Sequence, residues 1–323
     1  MSSPWVTFIV PAFNAENTIG GTLSGLLTQT YPSFDIVVID DGSTDCTGAI
    51  ARTHPRTTVI RQDNTGLSGA RNAGVAAARG EMLAWCDADD IFLPPYLSDL
   101  VATWSSAGDS RTIASSDALF LTPTGLSGKR MMPVYHPKPE DQALAFLRAS
   151  FISGMCLYPR HLHDEVGMLD TSLNGGEDRD LWLRALLRGW HAVKQPKPNA
   201  LYRWTGTSLS SNGADMEASE KFLLEKALRE SSEYLTEEQR DLIQTMLTGG
   251  TPRQLLSEGN ESLRQGDYKA ARAALGQASR LSPLDRRLQL RALAARTPVT
   301  CRILERHQRW ADEKVGYNSD MRR

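Results

Sequence analysis

The chain lacks most of the features that settle a protein's class at a glance. No apolar run is long enough to cross a bilayer, so an integral membrane protein is not expected. The N-terminal MSSPWVTFIVPAF has no basic segment ahead of a longer apolar one, so no secretory signal peptide is expected either. Only four cysteines occur in 323 residues, Cys46, Cys86, Cys156 and Cys301, and no two form a C-x-x-C pair. That scatter argues against a zinc site and a disulfide framework, and it fits a reducing cytoplasm. Positive charge is not in excess: 36 Lys and Arg against 38 Asp and Glu leave a formal net charge of -2. The electrostatic footprint of a nucleic-acid binder is therefore missing. His161 and His163 flank Leu162 with no further ligand pattern nearby, and they read as surface histidines. The glycines do not follow G-x-G-x-x-G after the first apolar run, and no G-x-x-x-x-G-K-[ST] loop is present. Dinucleotide dehydrogenases and P-loop enzymes are thereby poorly supported.

What is present is an ordinary globular composition, 41% hydrophobic and 23% charged, which excludes a disordered chain and leaves ample apolar surface for a sizeable core. Two periodicities alternate in the first hundred or so residues. Apolar, β-branched runs at Trp5–Val10, Phe34–Asp40, Thr57–Gln62 and Met82–Cys86 read as strands. Between them, Asn17–Gln29, Ser43–Arg52 and Leu67–Ala78 read as helices. Near-continuous apolar strands alternating with helices predict a parallel, Rossmann-like sheet covered on both faces. In such sheets ligands bind beyond the carboxyl ends of the strands. The loops PAFNAE, DDGSTD, DNTG and DADD all follow strands, so they share one rim. Asp40, Asp41, Asp87, Asp89 and Asp90 then converge there. Helix capping explains one Asp or Ser per helix start, and Ser43, Thr44 or Asp45 serves that need. The surplus carboxylates match a divalent cation held with phosphate oxygens, because magnesium usually takes one or two carboxylates plus substrate phosphates.

These blocks, in this order, are familiar. VPAFNAENTI, VVIDDGSTD, NTGLSGARNAG, DADD, GGEDRDLWLRALLRG and YRWTGTSLS together resemble the inverting family 2 glycosyltransferases. The likeness runs from roughly Val6 to Ser211, about two thirds of the chain. It implies an α/β GT-A fold: a Rossmann-like, mostly parallel sheet with helices on both faces, here followed by a C-terminal α-helical extension. Residues 1–105 would form the nucleotide-sugar half, 106–214 the acceptor half and 215–323 the extension.

The resemblance also implies a chemistry: transfer of a sugar from a nucleotide-diphosphate sugar, expected to be a uridine one, to an acceptor hydroxyl. Pro11, Ala12 and Phe13 would line the base pocket, with Phe13 either stacking or padding it. Glu16 would approach the ribose, Asp41 would accept from the base ring, and Arg71 would lie near the nucleotide. Asp87 would meet the ribose or a metal-bound water, and Asp89 would bind magnesium or manganese while Asp90 orders the loop. Asp178 would be the base that deprotonates the acceptor, with Glu177 binding acceptor or orienting the loop. Asp180 reads as a cap or supporting partner, and Trp182 as either pocket lining or core. Processive members of the family carry Q-x-x-R-W and membrane spans; here Arg203-Trp204 is present but Ala200 stands at the Gln position. A non-processive enzyme of cell-surface polysaccharide or glycoconjugate synthesis is therefore expected. Arg203 would contact the diphosphate, and Ser208 and Ser210 would sit on a closing loop. The acceptor would be a sugar, a lipid-linked molecule or a small molecule, with no nucleic-acid partner.

From about Asp215 the composition turns Glu-, Arg-, Leu- and Ala-rich. Gly259, Tyr268, Ala271, Leu275, Ala278 and Pro283 fall at the offsets of the ~34-residue tetratricopeptide pattern that starts at Pro252. One repeat does not stand alone, so a hairpin packed on the catalytic domain or on a partner is expected. Arg286, Arg287, Arg291 and Arg296 leave room for peripheral contact with an anionic membrane, placing a cytoplasmic protein at its inner face. Three competing readings remain at this point, one of them a retaining transferase, told apart by the anomeric configuration of its product. A sugar nucleotidyltransferase would need a glycine-rich loop where PAFNAE stands, and a non-catalytic scaffold would dispense with Asp89 and Asp178, both of which are present.

Overall fold

The computed structural model describes residues 3–132, 136–173, 175–204, 213–297 and 299–306. The chain divides into two compact units, Met1–Phe146 with Ser150–Ser208, and Leu147–Ala149 with Leu209–Arg323.

The first unit opens with β1 (Val6–Ala12), α1 (Ile19–Leu27), β2 (Phe34–Asp41), α2 (Thr47–Arg52), β3 (Thr57–Gln62), α3 (Gly66–Ala77) and β4 (Met82–Trp85). It continues through β5 (Ile91–Phe92), α4 (Tyr96–Ala107), β6 (Thr112–Thr122), β7 (Gly125–Arg130), α5 (Gln142–Arg148), β8 (Cys156–Pro159), α6 (Leu162–Val166), α7 (Glu177–Leu187) and β9 (His191–Arg203). One sheet runs in the order β3-β2-β1-β4-β8-β6-β9-β5, with β7 paired to β6. The four strands foreseen from the apolar runs are mutually parallel, β1 lying between β2 and β4. Beyond β4 the sheet turns mixed: β8 is antiparallel to β4 and β6, while β9 runs parallel to β6 and antiparallel to β5.

Both faces of the parallel half are covered, which is why β1 and β4 are buried along their whole length. On one face Phe8, Val10 and Ala12 pack with Ile19, Leu23 and Leu26 of α1 and with Tyr96, Leu97 and Leu100 of α4. On the other, Val37 and Ile39 meet Ala70 of α3. Gly74 lets α3 lie flush on β1, since a Cβ there would stand 2.3 Å from Ile9 Cγ2. That close seating aims the first turn of α3 at the rim where β1, β2 and β4 end. A second anchor joins β4, β8 and α7: Trp85 lies 5.4 Å from Tyr158 and 5.0 Å from Trp182, ring centre to ring centre.

The two histidines are not a surface pair. His163 lies on α6, where Leu162 and Val166 turn inward, and its Nε2 and Nδ1 sit 3.1 Å from Tyr158 Oη and from the Gly167 carbonyl. Burial holds its pKa below the usual histidine value. His161 rests against Trp190 at 5.2 Å. All four cysteines are free thiols, and only Cys46 is exposed.

The second unit is helical, with α8 (Gly213–Glu230), α9 (Glu237–Gly249), α10 (Pro252–Gln265), α11 (Tyr268–Leu281) and α12 (Arg286–Ala294). Side-chain caps define its helix starts: Thr236 and Gln239 form a capping box on α9, and Thr251, Asp267 and Asp285 cap the next three. In the α10–α11 hairpin, Gly259 meets Leu275 so closely that a Cβ would approach Leu275 Cγ to 2.8 Å. Among the described residues no helix is long and apolar enough to cross a membrane.

Candidate active site

Four loops leave the carboxyl ends of β1 to β4, and hydrogen bonds stitch the first three together. Asn14, in the left-handed region at φ 49°, accepts from the Thr44 N–H at 2.8 Å, and its own N–H donates to Ser43 Oγ at 3.1 Å. Glu16 accepts from the Cys46 N–H at 3.0 Å, so the carboxylate expected at a ribose also ties the β1 loop to the β2 loop. Pro11 and Ala12 are buried at the end of β1, whereas Phe13 presents its ring to solvent at 52% exposure. Asp40 pairs with Arg61 at 2.7 Å. Asp41 is buried, and its two oxygens accept from the backbone N–H groups of Thr65 and Gly66 and from Gln62 Nε2 at 2.7–3.0 Å. The carboxylate expected under a base ring thus also fastens the start of α3 to β2.

Arg71, one and a half turns into α3, sits at the centre. Its Nη1 donates to Glu177 Oε1 at 2.6 Å and its Nη2 to Asp87 Oδ1 at 2.9 Å. The guanidinium also lies 4.8 Å above the Trp85 ring. Only 3% of Arg71 is exposed, so it lies beneath the carboxylates rather than on a helix surface. Burial opposes its charge, yet Asp87, Glu177 and Asp178 outweigh that and raise its pKa.

The DADD loop is held from the other side as well. Thr22 Oγ1 donates to the carbonyls of Ala88 and Asp90, and the Arg203 N–H donates to Asp90 Oδ1 at 2.9 Å. Arg203 Nε reaches the Asp89 carbonyl at 2.8 Å. The end of β9 therefore fixes the loop that carries Asp87 and Asp89.

Gly175 and Gly176, both at positive φ, turn the chain into α7, whose first turn carries Glu177, Asp178 and Asp180. Glu177 is buried, and burial raises its carboxyl pKa despite the pull of Arg71. Asp178 is half-buried; burial raises its pKa too, with Arg71 opposing and Asp87 adding to the shift. Asp180 turns away from both to pair with Arg184 at 2.8 Å. A Cβ on Gly154 would lie 3.8 Å from Asp178 Oδ2 and 3.9 Å from Arg71 Nη2, so the absence of a side chain there leaves space beside both.

The strand-end loops carrying paired carboxylates, on this sheet order, agree with the family likeness read from the sequence. A family model, Glycosyl transferase family 2, matches residues 7–167. The chain belongs to glycosyltransferase family 2. Succinoglycan biosynthesis protein ExoO of Rhizobium meliloti is similar to it, 30% identical over 218 residues that cover 64% of this chain and 63% of that protein. The chain spans about three fifths of the length of the first curated relatives it matches. Two solved structures share its GT-A fold at 19% identity: S. aureus TarS 1-349 in complex with UDP-GlcNAc, and mannosyltransferase PcManGT from Pyrobaculum calidifontis in complex with GDP-Man and Mn2+. The first has a TM-score of 0.62, covering 95% of this chain and 92% of that one. The second has a TM-score of 0.60, covering 94% and 88%.

The donor set in this family 2 chain fits the divalent cation that the resemblance implies. Asp89 is half-buried, and burial together with the charge of Asp87 pushes its pKa up to about 6, with Arg203 offsetting only part of the shift. A cation relieves that penalty, and carboxylate oxygens are the hard ligands magnesium or manganese takes. Among the described residues no three acidic, His or Cys side chains gather closely enough to hold an ion alone. A cation that arrives with a diphosphate and fills its coordination from phosphate and water needs no such cluster.

One expected site residue lies elsewhere. Trp182 is fully buried between Trp85 and Tyr158, because its position on α7 points it at β4 and β8, and it belongs to the core rather than to a pocket wall. Ser208 and Ser210, expected on a closing loop, lie outside the described residues. Asn14, Gln62, Thr65 and Gly154 were not foreseen as parts of the site. Asn in PAFNAE was the one available signal, since Asn tolerates positive φ.

Proposed function

We propose that this chain transfers a sugar, with inversion, from a nucleotide-diphosphate sugar to an acceptor hydroxyl. The observation that carries the reading is the bridge through Arg71, which brings the DADD loop of β4 and the first turn of α7 to one guanidinium. Donor-side and acceptor-side carboxylates are thereby held at a fixed separation. Asp178 would remove the acceptor proton as the acceptor oxygen bonds to the anomeric carbon. The bond from that carbon to the diphosphate breaks on the opposite face, and the diphosphate departs with the bonding electrons. A raised pKa suits a base that must accept a proton near neutral pH.

Asp89 would hold the divalent cation, with Asp87 at the ribose or at a metal-bound water; when bound, the cation neutralises charge on the departing diphosphate. Pro11, Ala12, Phe13, Glu16 and Asp41 would border the nucleotide. Arg203 would help position the diphosphate through its hold on the DADD loop. Glu177 would orient Arg71 and the loop before α7. The UDP-GlcNAc and GDP-Man held by the two neighbouring structures support a nucleotide-diphosphate donor, of which we favour uridine. The Mn2+ in one of them supports the cation. The name of ExoO supports a place in polysaccharide synthesis. The lack of a Gln before Arg203-Trp204 favours single additions.

A thermal-shift screen of nucleotide-diphosphate sugars with and without manganese tests the reading, because a ligand that binds only the folded state raises its apparent stability. A shift that requires both donor and cation is expected. A shift with a nucleoside triphosphate plus a sugar phosphate, and none with any diphosphate sugar, would refute it.

A further inference from the structure

We propose that α12 and the helix at residues 299–306 of the second unit form a docking face for an anionic lipid bilayer. Large apolar side chains stand open there: Leu290 is 65% exposed, Leu293 55%, Val299 69% and Ile303 62%. They are not stragglers from an unfinished core. Leu288 of α12, Cys301 of the following helix and Ala295 between them are already buried, so the inward contacts are made by other positions. On α12, Arg286, Leu290 and Leu293 recur at i, i+4 and i+7, which sets them on one face. Val299 and Ile303 recur at i and i+4 on the following helix, with Arg302 and Arg306 spaced in the same way.

Charge decides what such a face fits. Residues 284–306 hold six arginines and two acids, in a chain whose formal net charge is -2. Six arginines against two acids leave an excess of four positive charges over this segment, and both acids also hold structural hydrogen bonds. Asp285 accepts from the N–H groups of Arg287 and Leu288 as the cap of α12, and Glu305 accepts from Tyr268 Oη at 2.8 Å. Arg291 turns inward to Asn260, while Arg286, Arg287, Arg296, Arg302 and Arg306 are exposed. Exposed leucines among arginines on short amphipathic helices describe a segment that lies in a membrane interface, apolar side chains at the acyl boundary and guanidinium groups on headgroup phosphates.

The proposal does not rest on the transferase reading, and its test contains neither donor nor acceptor. The full chain is sedimented with vesicles of phosphatidylcholine alone and of phosphatidylcholine with phosphatidylglycerol in equal parts. At least ~10-fold stronger partition to the anionic vesicles is expected, lost as salt rises from about 0.1 M to about 1 M and the screening length falls from ~10 Å to ~3 Å. The pairs Leu290→Glu with Leu293→Glu and Arg286→Glu with Arg287→Glu should each weaken partition at least ~10-fold with unchanged far-ultraviolet dichroism and melting temperature. Equal binding to both vesicles, or binding that neither variant weakens, overturns the proposal. So does a dimer in sedimentation velocity that Leu290→Glu with Leu293→Glu dissolves, which would make a second copy the occupant.

Discussion

Arg71 and Glu177 meet at 2.6 Å although 106 residues separate them in the chain, and each side chain is at least 94% shielded from solvent. A buried ion pair contributes little net stability over an apolar pair of equal volume, but removing one partner leaves a desolvated charge behind. Here three carboxylates share one cation, since Asp87 pairs with Arg71 directly and Asp178 feels its charge. Arg71→Met keeps most of the volume and removes the only charge that holds Asp87 and Glu177 together in this bridge. It should destabilise the protein by about 3–5 kcal/mol in urea unfolding. Adding Glu177→Gln should restore a good part of that loss, because the orphaned charge goes with it. A loss below about 1 kcal/mol for Arg71→Met alone would mean that the pair is not closed in solution.

Asp178→Asn preserves shape and the oxygen that accepts from the Arg179 N–H while abolishing proton acceptance. Transfer should fall at least ~100-fold with donor affinity retained, the usual contribution of a general base. The wild-type pH profile carries a sign that can be worked out. Burial raises the Asp178 pKa, the base acts when deprotonated, and so the rate falls as pH drops through that raised value rather than through the ordinary carboxylate range. The acid limb of kcat/KM should therefore lie above the ordinary Asp value and vanish in Asp178→Asn. Near wild-type turnover in that variant would remove the assignment.

The parallel half of the sheet was legible because strands buried on both faces write near-continuous apolar runs. β2 and β3 begin where those runs begin, at Phe34 and Thr57. The helix read from Ser43 starts only at Thr47, since Asp45 and Asn14 hold residues 43–46 in the loop by side-chain hydrogen bonds. The second half of the sheet was not legible. β9 carries Gln195, Pro196 and Pro198, which break a strand pattern, and its pairing with β6 is irregular between Ser115 and Ala118. The depth of Arg71 was hidden too. Its burial depends on β4 and on α7, the latter about a hundred residues distant, and nothing local to GARNAG encodes that. For Trp182 the spacing on α7 allowed both core and pocket, and only the partners Trp85 and Tyr158 decide between them.

The helical hairpin of the second unit gives a test free of any catalytic assumption. Gly259 lies on α10 where Leu275 of α11 crosses it, and an added Cβ would stand 2.8 Å from Leu275 Cγ and 2.9 Å from its Cδ2. Gly→Ala inside a helix normally gains roughly 0.5–1 kcal/mol from backbone entropy. Overpacking of a closed interface costs about 1–3 kcal/mol, so the clash should win. Gly259→Ala should lower stability, whereas Gly276→Ala, on the same hairpin with only the flexible Arg280 guanidinium at 3.8 Å, should raise it slightly. Equal effects of the two in thermal melts would contradict the packing.

Asp89 joins stability and function with opposite signs. Its pKa is pushed up to about 6, first by burial and then by Asp87. A folded-state value above the unfolded one means that its contribution to stability is fully present below the ordinary Asp pKa and is lost as pH rises through about 6. At neutral pH and without cation, the ionised carboxylate therefore strains the fold. Asp89→Asn removes that strain and should stabilise the metal-free protein by about 1–2 kcal/mol. The same change removes the oxygen donor proposed for the cation, so manganese should no longer add to the stabilisation given by a diphosphate sugar. Melting curves of wild type and Asp89→Asn, each with and without manganese and donor, read both effects at once. A variant that melts lower than wild type without cation would contradict the strain, and one that keeps a manganese-dependent shift would contradict the ligand assignment.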